Sequence, residues 1–129
     1  MATTRIIAMH RNKGCTVEQA LKARLDYIKN PEKTRDGELV TAFACHAATA
    51  DAEFALARKE YFEITGRWRE NEVIAYQIRQ SFKPGEVTAE EAHQIGIELA
   101  QRFLKGNHAF VVATHTDRRN IHNHLEWSA

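Results

Sequence analysis

The stretch HAFVVATHTDRRNIHNHLEWS (108–128) decides the fold, because it contains two strand-like segments joined by a short polar turn. Side chains along a strand point alternately to the two faces of its sheet. When HAFVVATHTD (108–117) pairs with NIHNHLEWS (120–128), one face carries Val111, Ala113, His115, Asp117, His122, His124, Glu126 and Ser128. The other face carries Phe110, Val112, Leu125 and Trp127. The hairpin can therefore bring His115, His122 and His124 together on one side, while its bulky side packs on helices.

Three more strands are predicted upstream, at RIIAMH (5–10), ELVTAFACH (38–46) and EVIAYQIRQSF (72–82). In the third of these, the polar residues Gln77, Arg79 and Ser81 alternate with apolar ones and are expected to point outward. The element order βαβαβαββ indicates an α+β fold. We expect a mainly antiparallel five-stranded sheet with the helices on one face and an open metal- and DNA-binding face.

Helix ends and apolar stripes predict three helices between these strands. Capping boxes begin two of them, at Thr16 with Gln19 and at Thr88 with Glu91. Asn30-Pro31, Gly66 and Gly106 are typical of helix ends. Residues at helical spacing form the stripes Val17, Leu21, Leu25 and Ile28; Phe54, Ala57, Tyr61 and Ile64; and Ala92, Ile95, Leu99 and Phe103.

Composition excludes several classes of protein. A chain of 129 residues is the size of one domain, and its formal net charge of +1 gives no overall attraction to an anionic partner. Cys15 and Cys45 lack paired spacing, which is typical of reduced cytosolic thiols. No apolar run approaches the length of a membrane span or a signal peptide. We therefore expect a protein of the cytosol.

Three histidines with alternating spacing on one sheet face predict a metal site. Three imidazoles with room left for water or substrate form a catalytic rather than a closed structural arrangement. An all-nitrogen ligand set is compatible with Mn, Co, Ni or Zn and tolerates Mg weakly. Asp117 is expected on the same face as His115, where a carboxylate can orient an imidazole. The alternative is a set of surface histidines on a hairpin with no metal.

The pattern His-x-Asp-x4-His-x-His, here His115, Asp117, His122 and His124, resembles the metal motif of conjugative relaxases. It is most similar to the MobP-type relaxase and mobilisation-nuclease group of the HUH endonuclease superfamily. LDYIKNPEKT (25–34) resembles the first motif of that group, which carries the nucleophilic tyrosine. IRQSFKPGEVTAEEAHQIGIELAQRFL (78–104) resembles the segment that leads into the metal motif.

The resemblance implies a metal-dependent, site- and strand-specific DNA transesterase that nicks a plasmid at its origin of transfer for conjugation. It implies a 5′-phosphotyrosine link to Tyr27 and a divalent ion, Mg or Mn first and Zn, Co or Ni as alternatives. Its partners would be single-stranded DNA at the origin, relaxosome accessory proteins and a type IV secretion coupling protein. The residues expected to contact DNA are Arg118, Arg119, Arg79, Gln77 and Lys33.

Tyr27 depends on the resemblance for its assignment. On its helix it lies about 100° around from Ile28, at the edge of the apolar stripe. Its position alone favours an aromatic residue that packs at the edge of the apolar face and has no catalytic role. Asp117 is expected mainly to tune a histidine, and less to accept the phenolic proton. Two other classes stay open, a metal-dependent phosphodiester hydrolase without a covalent intermediate and a non-catalytic single-stranded DNA-binding remnant.

Two positions depart from the pattern of the family. Glu126 stands where an apolar residue is common, and Ser128 stands where an asparagine is usual. Relaxase domains also normally continue beyond the metal strand. We therefore expect residues 1–129 to be an N-terminal relaxase domain that is truncated after that strand.

Overall fold

The computed structural model describes residues 3–10, 14–66 and 73–128. The strands are β1 (Thr3–His10), β2 (Val40–Phe43), β3 (Val73–Ser81), β4 (Phe110–His115) and β5 (His122–Ser128). The helices are α1 (Val17–Ile28), α2 (Ala50–Thr65) and α3 (Ala89–Leu104), and a short 3-10 helix, Ala47–Thr49, precedes α2. The predicted order is confirmed. Glu72, predicted at the start of a strand, lies outside the described residues.

The five strands form one antiparallel sheet in the order β1-β3-β5-β4-β2, which confirms the predicted α+β class. β5 is the central strand, because it pairs with β3 on one side and with β4 on the other. Its register places His122 opposite both Ser81 and His115. The last strand of the predicted hairpin is thus the best-supported strand of the sheet, and it carries two of the three histidines.

The helices cover both faces of the sheet, so the expectation of helices on one face only was wrong. α3 packs with Phe110, Val112 and Leu125 on one face, whereas α1 and α2 pack with Val111 and Ala113 on the other. The physical reason is that β4 is apolar on both faces, and each apolar face gains free energy when a helix covers it. The histidines therefore lie at the end of α1 rather than on a bare sheet.

Both capping boxes are present, and the predicted stripe of α1 is buried at Leu21, Leu25 and Ile28 but only half-buried at Val17. The stripe of α3 is rotated from its prediction, since Ile95 and Phe103 are 36% and 49% exposed. Ala92 is buried as predicted, but its buried companions are the small residues Ala89, Gly96 and Ala100. In α2 only the first half is buried, and Tyr61 and Ile64 are exposed. Within the described ranges, no helix is long and apolar enough to cross a membrane.

Candidate metal centre

His115, His122 and His124 come together where β4 ends and β5 begins. His115 is the last residue of β4 and lies directly opposite His122, while His124 follows two residues later on the same face of β5. One ring nitrogen from each residue lies within 4.8 Å of the other two. The ring centroids are 4.3 to 5.1 Å apart. Strand alternation and register alone thus bring three potential ligands to one point.

Backbone carbonyls orient two of these rings. His115 Nε2 donates a hydrogen bond to the carbonyl oxygen of Ile28 at 2.8 Å, and His122 Nδ1 donates to that of Asn120 at 3.1 Å. A carbonyl only accepts, so each bond leaves the other nitrogen of the ring with its lone pair free. His115 Nδ1 and both nitrogens of His124 are buried and lack a hydrogen-bond partner within the described residues. Lone pairs that are buried and unpartnered fit a metal ion.

Burial keeps the three imidazoles neutral. Loss of hydration is the main cause that lowers the pKa of His115 and of His122. It lowers the pKa of His124 further, to about 2, and the two neighbouring histidines and Arg79 act in the same direction. A metal binds the neutral imidazole, so the ligands need not lose a proton near neutral pH. Donor type, spacing and protonation together fit a divalent metal ion at this site.

Tyr27 lies beside this cluster, although 88 residues separate it in sequence from His115. Its ring centroid is 5.9 Å from that of His115 and 6.1 Å from that of His124. Tyr27 sits in the last turn of α1 and is 42% exposed, so one side of its ring packs and the other is accessible to solvent. Lys33 lies over the same ring, with its Nζ 4.5 Å from the centroid. The structure thus brings Tyr27 and Lys33 to the histidines.

The sequence predicted that the Asp117 carboxylate orients an imidazole. Among the described residues, no hydrogen bond joins Asp117 to any of the three histidines. β4 ends at His115, so the alternation that placed both residues on one face does not extend to Asp117, which is exposed. Its carboxylate pairs with Lys33 instead, at 3.9 Å. Its charge still raises the pKa of His115 and of His122, against the larger effect of burial. Asp117 thus lies near the site as a charged neighbour that pairs with Lys33.

The residues expected to contact DNA divide into two groups. Arg79, Arg118 and Arg119 are exposed, and the charges of Arg79 and Arg118 both act on His122. Gln77 is only 4% exposed, which contradicts its expected place on an open face. It is buried because α1 packs over that part of the sheet, which the sequence did not indicate. Arg79 and Arg118 thus lie near the cluster, whereas Gln77 lines a neighbouring cavity.

That cavity, named the α1 cavity here, has a volume of about 580 Å³. It lies between α1 and the strands β1, β3 and β5, and its lining includes Ile7, Arg24, Tyr27, Gln77 and Glu126. Glu126 is fully buried, and burial raises the pKa of its carboxyl to about 8. Arg24 and Tyr27, both exposed, connect the cavity to solvent and to the histidines. Sequence reasoning noted Glu126 only as a departure from the family pattern.

The opposite face of β5 is held by a buried polar network. Asn123 lies between His122 and His124 in sequence but points to the α3 side. Its amide nitrogen donates to Gln80 at 2.9 Å and to the carbonyl oxygen of Ala92 at 2.7 Å. Its amide oxygen accepts from the Thr114 hydroxyl at 2.5 Å. These bonds fix the stretch of β5 on which the two histidines stand.

The chain matches the family described as relaxase, MobA/VirD2-like, nuclease domain over residues 27–129. It is 30% identical over 128 residues to the group II intron-interrupted relaxase LtrB of Lactococcus lactis subsp. cremoris, covering 84% of this chain and 23% of that protein. It is 44% identical over 77 residues to protein rlx of Staphylococcus aureus, covering 58% of this chain and 23% of that protein. The chain thus spans about a quarter of the length of these relatives.

The antiparallel sheet thus carries three clustered histidines at the end of β4 and the start of β5, beside a tyrosine from the first helix. The chain belongs to the family of MobA/VirD2-like relaxase nuclease domains. The predicted resemblance to relaxases is confirmed at the level of the family, whose description is that of a nuclease domain.

Proposed function

We propose that this domain nicks one strand of DNA at a plasmid origin of transfer by tyrosine transesterification and remains joined to the 5′ end. Tyr27 would be the nucleophile, and His115, His122 and His124 would hold a divalent metal ion. The observation that carries the proposal is the placement of the Tyr27 ring 5.9 and 6.1 Å from two of the three histidine rings. A phosphate at the histidine cluster would therefore lie within reach of the phenol.

In the proposed reaction Tyr27 Oη forms a bond to phosphorus while the bond from phosphorus to O3′ breaks. The bound metal, Mg or Mn first, would offset the charge that grows on the non-bridging oxygens. The phenolic proton leaves to solvent, which the 42% exposure of Tyr27 permits, and O3′ takes up a proton. One phosphodiester replaces another, so the bond energy is retained and the reverse reaction can rejoin the strand.

Lys33 and the arginines would position the DNA. Lys33 lies over the Tyr27 ring and pairs with Asp117, so it can hold the scissile phosphate beside the phenol. Arg79 and Arg118 are exposed near His122 and Arg119 is exposed next to Arg118 in sequence, so all three can contact neighbouring phosphates. The same proposal includes relaxosome accessory proteins, a type IV secretion coupling protein and a place in the cytosol.

Two end labels on the same DNA test the covalent step. The protein is incubated with Mn²⁺ and random-sequence single strands labelled at the 3′ end, and the products are separated under denaturing conditions. A 5′-phosphotyrosine keeps the 3′ fragment on the protein, so the 3′ label should migrate with the protein and a 5′ label should not. Tyr27→Phe should abolish this band, whereas Tyr61→Phe, which changes a similarly exposed tyrosine on α2, should keep it.

Any other outcome of this experiment rejects the proposed reaction and indicates a different function or a different nucleophile. Metal-dependent cleavage without a protein-linked fragment would identify a hydrolase in which Tyr27 is incidental. Binding of single-stranded DNA without cleavage would identify a non-catalytic DNA-binding remnant. A Tyr27→Phe protein that still forms the adduct would place the nucleophile elsewhere in the chain.

A further inference from the structure

Two residues that line the α1 cavity, Gln77 and Glu126, carry three buried polar atoms that nothing in the described part of the chain satisfies. They are Oε1 and Oε2 of Glu126 and Nε2 of Gln77. The two side chains stand directly opposite each other on β5 and β3, so they share a face and are close neighbours. Buried polar groups in folded proteins are almost always hydrogen-bonded. Three orphaned atoms on two side chains that line one cavity therefore point to a polar ligand.

The kinds of atom define the ligand. A carboxylate offers two acceptors and the amide nitrogen offers one donor, so the complementary edge has two donors and one acceptor. Among the four DNA bases only guanine has such an edge, with N1–H, N2–H and O6. Cytosine and thymine present two acceptors and one donor, and adenine presents one donor and one acceptor. The Arg24 guanidinium lines the same cavity and adds a positive charge near the Glu126 side chain.

The position of the cavity defines which nucleotide would enter. Tyr27 lines the α1 cavity and also contacts the histidine rings, so the two sites meet at this residue. Arg24 is exposed and lines the cavity as well, where its charge can meet a phosphate. A base turned into the cavity would thus belong to a nucleotide next to the scissile phosphate. The cavity volume of about 580 Å³ is in the range of small-ligand sites.

We propose that the α1 cavity reads a guanine next to the nick, with Glu126 accepting from N1–H and N2–H and Gln77 donating to O6. This inference rests on the proposed function, because it takes single-stranded DNA as the substrate. It assigns to Glu126 the reading of one base, at a position where the family commonly has an apolar residue. Glu126 and Gln77 would determine specificity and would not take part in bond making.

Binding without metal and without cleavage tests the inference separately from nicking. Fluorescence anisotropy measures the affinity for labelled oligothymidylate pentanucleotides whose central base is guanine, adenine, cytosine or thymine. One well-read base gives about tenfold discrimination or more, so the guanine strand should bind about tenfold more tightly than the others. Glu126→Gln replaces one acceptor by a donor and should reduce this preference below about twofold. Glu60→Gln, on the exposed side of α2, should leave it unchanged.

A change in the DNA keeps the test valid even if the Glu126 variant folds poorly. Inosine lacks the N2 amino group, so wild-type protein should bind a central inosine several-fold more weakly than guanine. Equal affinity for all four bases, equal affinity for inosine and guanine, or a preference that survives Glu126→Gln would each overturn the inference. A guanine preference without any adduct formation would support the inference while rejecting the proposed reaction. An adduct without a guanine preference would support the proposed reaction while rejecting the inference about the α1 cavity.

Discussion

Replacing Gly96 by alanine should destabilise the domain even though it adds a better helix former. A Cβ at this position would lie 2.7 Å from Asn123 Nδ2 and 3.1 Å from Val112 Cγ1. Asn123 cannot retreat easily, because it is fully buried and three hydrogen bonds hold its side chain. The helix propensity of alanine contributes about 1 kcal/mol in the opposite direction.

The costs of crowding Asn123 exceed the gain in helix propensity, so the net effect of Gly96→Ala on stability is unfavourable. Overpacking of a close-packed site costs roughly 1–3 kcal/mol. Displacing Asn123 Nδ2 would also weaken its bonds to Gln80 and Ala92, and an unsatisfied buried group costs about 1–3 kcal/mol. The two costs together come to roughly 2–6 kcal/mol, so after subtraction of the propensity gain Gly96→Ala should lower the free energy of unfolding by roughly 1–5 kcal/mol. The affinity for Mn²⁺ should fall as well, because Asn123 fixes the backbone between His122 and His124.

Urea unfolding measures the loss of stability in Gly96→Ala. The midpoint concentration of urea should fall, while the dependence of the unfolding free energy on urea concentration should stay unchanged. A double-mutant cycle with Asn123→Ala isolates the cause, since removing the amide removes the nearest clash. In that background Gly96→Ala should cost clearly less than in the wild type. An unchanged or raised midpoint for the single variant, or an equal cost in both backgrounds, would refute this account of the close approach of α3 to β5.

Three further predictions concern the metal, the DNA and pH. Excess Mn²⁺ at about one hundred times its dissociation constant should stabilise the wild type by about 2.7 kcal/mol in thermal unfolding. His124→Ala should lose that shift, and the exposed His46→Ala should keep it. Arg118→Gln should lower the salt-dependence slope of single-stranded DNA binding by about 0.7, and an unchanged slope would exclude a phosphate contact. Burial lowers the pKa of His93 in the fold, so the unfolded chain takes up its proton first as pH falls below about 6.5. In chelator, His93→Gln should therefore lose less stability between neutral and acidic pH than the wild type, as urea unfolding at both pH values can measure.

Local pattern was sufficient for the sheet and for the histidines. The two-residue period of a strand places His122 and His124 on one face without any knowledge of the rest of the chain. The turn between β4 and β5 then makes the pairing of His115 with His122 the natural register. Tyr27 is different, because its approach to the histidines depends on how α1 crosses the sheet. Only the resemblance in LDYIKNPEKT (25–34) indicated it.

Long-range packing explains what the sequence did not reveal. β4 is apolar on both sides, which leaves open which helix covers which face, and so the burial of Gln77 beneath α1 was missed. The end of β4 at His115 removed Asp117 from the predicted face. Glu126 looked like a departure from the family, and its place in a cavity became visible only with α1 in position.

The most direct test of the central claim identifies the atom that carries the DNA. After incubation with single-stranded DNA and Mn²⁺, the protein is digested with nuclease and trypsin, and the peptides are analysed by mass spectrometry. Trypsin cuts after Arg24 and Lys29, so Tyr27 lies in the short peptide LDYIK (25–29). The account predicts a nucleotide joined through phosphate to Tyr27 in this peptide, and none in the Tyr27→Phe protein. A nucleotide on a peptide that contains Tyr61 or Tyr76 instead would contradict it.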